Sequence, residues 1–137
     1  MLESIRNWFG KKPASPMPIQ PVSSSSSTAK SHNVSPIEVK EKLDRGDPVI
    51  LVDVRETEEV EIVSIPVARH IPIGEIHCRY KEISDDPNAE IVVFCHHGGR
   101  SARVMSQLWG LGYPNVQNME GGIDRWALEV DPSLSRY

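Results

Sequence analysis

A cysteine, two histidines, two glycines, an arginine and a serine follow one another in "CHHGGRS", residues 95–101. Cys95 is the strong nucleophile of this run, and a thiol acts as one when it is ionised. The run begins at the last residue of "EIVVFC" (90–95), a short apolar stretch rich in β-branched residues that reads as a buried strand. Cys95 therefore arrives at the carboxyl end of a strand, where open α/β sheets place their sites. Gly98 and Gly99 are expected to supply backbone angles that a Cβ resists. Backbone N–H groups in such a tight loop can converge into an anion-binding concavity. From Gly99 to Leu111 the apolar residues Val104, Leu108 and Leu111 recur at helical spacing, so the loop also faces the positive end of a helix. Arg100 adds a full charge. These features favour a thiolate in a ring of donors, built to hold an anion.

Other chemistries fit the spacing less well. Cys95, His96 and His97 are adjacent, and three adjacent residues rarely converge on one ion. No second Cys/His cluster with zinc-like spacing exists in the sequence, so no metal is expected. A dithiol redox site would need C-x-x-C, and Cys78 lies 17 residues away. Cys78 reads as a structural cysteine, with a resolving thiol as the alternative. A plain strand-to-helix turn would not need Gly-Gly-Arg-Ser at the mouth of a helix.

The elements that position the loop alternate in type. "SPIE" (35–38) offers Ser35 as a cap, Pro36 at the first helical position and Glu38 for a capping box, starting a helix that should stop at Gly46. "PVILVDV" (48–54) reads as a buried strand, "ETEEVEI" (56–62) as a helical turn and "ARHIPI" (68–73) as a short strand. "GEIHCRYKEI" (74–83) reads as a helix, "DDPN" (85–88) as a turn, "YPNVQNM" (113–119) as a strand and "GGIDRWALEV" (121–130) as a last helix. Strands alternating with helices imply right-handed crossovers and a mainly parallel sheet covered on both faces. Asp53 and Arg55, at the end of the first strong strand, could reach the site; an internal pair organising the strand end is the favoured reading. Trp126 reads as packing and Gly121–Gly122 as a turn.

Length and composition bound the rest. The 137 residues suit one domain, and 39% hydrophobic with 25% charged residues is the balance of a soluble globular chain. Four of the 11 prolines and the run "SSSSS" fall between Lys12 and Ser31, so residues 1–32 read as a flexible tail before a folded body at 33–137. Within that tail, "MLESIRNWFG" has amphipathic spacing, with a frayed terminus as the favoured reading. The tail carries four basic residues against one acidic, whereas the body carries 11 basic against 18 acidic. An acidic body argues against nucleic-acid binding, which rests on phosphate neutralisation. No stretch reaches the ~20 apolar residues of a membrane-spanning helix, and no signal peptide core is visible. Free thiols in a reducing, cytoplasmic compartment are the expectation.

Several stretches together resemble one family. "CHHGGRS" resembles the active-site loop of rhodanese-domain sulfurtransferases, C-x-x-G-x-R. "LVDVRE" (51–56), "HIPIGEI" (70–76) and "GYPNVQNMEGGIDRW" (112–126) resemble that family's other segments in the same order, and "EVDPSLSRY" resembles a single-domain branch. Val67 stands where the family commonly has glycine. The resemblance implies a rhodanese-like three-layer α/β fold, with no cofactor. It implies that the Cys95 thiolate takes a sulfane sulfur from a small donor such as thiosulfate and passes it from a persulfide to a thiophilic acceptor: cyanide, a cellular thiol or a protein. Arg100 would orient the loop and help bind the anionic donor, and His96, His97, Gly98, Gly99 and Ser101 would form the cradle. Two alternatives remain: a persulfide carrier or regulatory binding module with little small-donor turnover, and a Cys-based phosphatase or arsenate reductase. The latter place five residues between Cys and Arg, whereas four intervene here.

Overall fold

The computed structural model describes residues 32–137. The expected tail, with its amphipathic stretch, lies outside the described residues apart from His32.

Ser35 opens the first helix, α1 (Pro36–Asp44), as the sequence predicts. Its hydroxyl accepts from the Glu38 amide while Glu38 accepts from the Ser35 amide, which satisfies two otherwise unpaired donors. The remaining elements in chain order are β2 (Val49–Asp53), α2 (Thr57–Ile62), β3 (Arg69–His70), α3 (Ile76–Arg79), β4 (Glu90–Phe94), α4 (Gly99–Gly110), β5 (Val116–Met119) and α5 (Gly122–Glu129), with β1 (Asn33–Val34) ahead of α1. The five strands form one sheet in the order β1-β5-β4-β2-β3, and every pairing is parallel.

Because successive strand residues point to opposite faces, β4 feeds two cores. Ile91, Val93 and Cys95 join the core under α3 and α4, with Val104, Met105 and Leu108. Val92 and Phe94 join the core on the other face, with Val39 of α1 and Ile123 and Trp126 of α5. Burial of the central strands on both faces explains why "EIVVF" is continuously apolar rather than alternating.

The structure differs from the sequence-based reading in two places. Residues 74–83 do not form one helix: 3₁₀ turns at Ile73–Glu75 and Tyr80–Glu82 flank the four residues of α3. Ile76 and Ile83 are nonetheless both buried in the first core. The two-residue β1 has no apolar pattern to announce it and is recruited by pairing with β5.

Candidate active site

Cys95 follows β4 directly and is 2% exposed. Its Sγ accepts from the Gly98 amide at 3.1 Å and lies 3.4 Å from the Ser101 hydroxyl. Burial pushes the thiol up, but the Ser101 hydroxyl and the amides of Ser101, Gly98 and Arg100 outweigh it, so the net shift is downward. The loop favours the thiolate. Reaction of Cys95 with iodoacetamide should therefore show an apparent pKa below the ~8.5 of an ordinary thiol, and Ser101→Ala should move that midpoint upward in a rate-against-pH profile.

The turn is set by one glycine, not two. Gly98 adopts a φ of +115°, in the left-handed region that residues with Cβ resist. Gly99 is the first residue of α4, has no positive φ, and a Cβ there would meet nothing within 4 Å. The expectation that Gly99 supplies special backbone angles is thus corrected: the helix has already begun at that position.

The outer side of the loop is fastened by α5. The Ile123 amide donates to the Cys95 carbonyl at 2.9 Å and the Asp124 amide to the His96 carbonyl at 3.1 Å. Gly122 allows this approach: its φ is +61°, and a Cβ would lie 2.4 Å from both carbonyl oxygens. Gly122→Ala should cost about 2–3 kcal/mol through strain and displacement of the loop, measurable by urea unfolding, and should slow Cys95 alkylation.

A buried polar residue on β5 closes the inner side. Ser101 Oγ lies 2.5 Å from Asn118 Oδ1 and 3.2 Å from the Gly98 carbonyl, while Asn118 Nδ2 donates to that carbonyl at 3.2 Å. The single hydroxyl proton is thus offered three acceptors, Asn118, Gly98 and the sulfur.

Arg100 does not point freely outward. Its Nη1 and Nη2 donate to the two carboxylate oxygens of Glu59, on α2, at 2.6 and 2.8 Å. The Glu56 amide and the Tyr137 hydroxyl complete the shell of that carboxylate, at 3.0 and 2.8 Å. The bidentate bond from Arg100 is the main reason the Glu59 carboxyl is pushed down to about 2.

Asp53 and Arg55 form a pair that is 2% and 0% exposed in its side chains, with Arg55 Nη2 donating to Asp53 at 2.7 Å. Arg55 also donates to the carbonyls of Glu59 and Val63, and to the Tyr137 hydroxyl at 2.9 Å. The pair thus stands behind the site, joined to Arg100 through Tyr137 and Glu59. The Tyr137 ring stacks on His96 with centroids 3.9 Å apart, and His96 stacks on His97 at the same distance. Burial and the neighbouring His97 hold the His96 imidazole below its usual range, so it is neutral near pH 7.

The fold brings Asp124 to the two histidines, and ligand atoms of the three lie within 4.8 Å of one another. Arg136 holds both Asp124 oxygens, at 2.8 and 3.2 Å, and the two imidazoles stack on each other. Cys78 is exposed, its thiol donating to the Glu75 carbonyl, and both cysteines are free.

Glu59, Asn118, Gly122 and Tyr137 are the parts of this arrangement that sequence reasoning missed. Asn118 had a signal, a polar residue inside a strand pattern; Glu59 sat unremarked among four glutamates of residues 56–61.

The sequence pattern of the rhodanese-like domain matches residues 35–129. The chain is 37% identical over 99 residues to a putative sulfurtransferase, YtwF, of Bacillus subtilis, covering 72% of this chain and 93% of that one. It is 37% identical over 87 residues to a putative sulfur carrier protein, YrkF, of the same organism, covering 64% of this chain and 46% of that one. Against several larger curated relatives the chain spans between 25% and 31% of their length. The human single-domain sulfurtransferase TSTD1 superposes with a TM-score of 0.65 at 26% identity, covering 73% of this chain and 98% of that one.

Proposed function

The chain belongs to the rhodanese-like domain family, and from that premise we propose that it carries a sulfane sulfur on Cys95 between a donor such as thiosulfate and a thiophilic acceptor. The Cys95 thiolate attacks the outer sulfur of thiosulfate, the S–S bond breaks, and sulfite leaves with the bonding electrons. A cellular thiol, a protein thiol or cyanide then takes the outer sulfur and returns the thiolate. This is a double displacement through a covalent intermediate.

The observation that carries the reading is the surroundings of the sulfur. Donors from Gly98, Arg100 and Ser101 favour its anionic form, and would favour the persulfide anion in the same way. Gly98, Gly99 and Ser101 build the cradle, His96 and His97 shape its rim, and Arg100 holds the loop through Glu59. Four residues between Cys95 and Arg100 make a ring suited to one sulfur atom rather than a phosphate. Among the described residues no helix is long and apolar enough to cross a membrane, and free thiols fit a cytoplasmic setting.

The likeness to a putative sulfur carrier favours a second reading, in which the loaded chain waits for a protein acceptor. Thiocyanate formation from thiosulfate and cyanide separates the two. Repeated turnover, proportional to protein concentration, is expected of the transferase, and release of one sulfur per chain with no further product would favour the carrier. No thiocyanate and no loaded sulfur would overturn both.

A further inference from the structure

The charges around the loop are arranged against a dianionic donor. Arg100 is matched by Glu59, Arg55 by Asp53, and Arg136 by Asp124. His96, stacked between Tyr137 and His97, adds no charge near pH 7. Once these described pairs are set aside, the loop amides and the helix N-terminus, worth about half a positive charge, are left to face an anion. Glu59 is also held from four directions, by both Arg100 nitrogens, the Glu56 amide and Tyr137, so it cannot swing away when a donor enters.

We propose that Glu59 sets the charge selectivity of the site, offsetting Arg100 so that donors bearing one negative charge or none, in particular organic persulfides, are preferred over dianionic thiosulfate. The proposal rests on the sulfur-transfer reading above and names its substrate class. With a persulfide R–S–SH, the Cys95 thiolate attacks the outer sulfur, the S–S bond breaks and R–S⁻ leaves with the electron pair. The proton stays on the transferred sulfur, and no external oxidant or reductant is needed. Glu59 acts through Arg100 and through the field at the loop, so it is a positioning residue, not a catalytic one.

The test compares thiosulfate, a dianion, with methanethiosulfonate, a monoanion, both of which present a terminal sulfur to a thiolate. Coulomb energy scales with donor charge, so a change at Glu59 has twice the logarithmic effect on the dianion. At low ionic strength, Glu59→Gln is expected to raise kcat/KM about tenfold for thiosulfate and about threefold for methanethiosulfonate. The gap should close in ~0.5 M salt. Glu59→Asp, which keeps the charge, should retain the wild-type ratio between donors, and so should Tyr137→Phe. Equal changes for both donors in Glu59→Gln, including an equal loss from misfolding, would overturn the proposal. Failure of wild type to take sulfur from either donor would overturn the sulfur-transfer reading instead.

Discussion

Cys95→Ser is expected to abolish persulfide formation and to lower thiocyanate production by more than about a thousandfold, the scale on which loss of a covalent nucleophile is felt. The substitution removes the one atom that can form the S–S bond and leaves its surroundings in place. The donors that favour a thiolate, from Gly98 and Ser101, cannot turn a serine into an equivalent nucleophile, because a hydroxyl is far harder to ionise and has little affinity for sulfur. Cys95 is a small buried group at the end of β4, so the variant should unfold close to the wild-type denaturant midpoint. Retained turnover in a folded Cys95→Ser protein would move the chemistry elsewhere, with Cys78 the other thiol to examine.

Arg55→Leu should produce the largest loss of stability, about 3–5 kcal/mol in urea unfolding, because it leaves a buried carboxylate without its cation. Asp53 is 2% exposed and accepts from three Arg55 nitrogens, the backbone amide, Nε and Nη2, at 2.7–3.2 Å. Loss of the guanidinium also releases the carbonyls of Glu59 and Val63 and the Tyr137 hydroxyl, loosening the segment that holds Arg100. Sulfur transfer should therefore fall together with stability. Replacing both partners, Asp53→Leu with Arg55→Leu, should recover much of the loss, since no charge is then buried alone. A single variant within about 1 kcal/mol of wild type would show that water or a neighbouring group compensates Asp53.

Contiguity decides how much of this was legible beforehand. The nucleophile, its glycine turn and the following helix are consecutive, so strand periodicity and helix periodicity place Cys95 at their junction without reference to the rest of the chain. The same holds for α1, whose capping box lies within Ser35–Glu38. Partners that meet across the fold carried no such signal. Glu59 and Arg100 are 41 positions apart, Ser101 and Asn118 are 17 apart, and Arg55 and Tyr137 are 82 apart. The sequence reading assigns Arg100 the roles of orienting the loop and helping bind the donor but names no partner for it; only the packing of α2 beside the loop supplies the Glu59 carboxylate that engages it. Gly122 shows the same limit: a Gly-Gly pair before a helix reads as a turn, while its closest neighbours, the Cys95 and His96 carbonyls, come from another element.

The most direct measurement is the intact mass of the wild-type protein after incubation with thiosulfate and removal of excess donor under non-reducing conditions. Transfer through Cys95 requires the added mass of one sulfur, located on the peptide containing Cys95, lost on addition of cyanide and missing from Cys95→Ser. An unchanged mass after both thiosulfate and methanethiosulfonate, or an added sulfur that persists in Cys95→Ser, would contradict it.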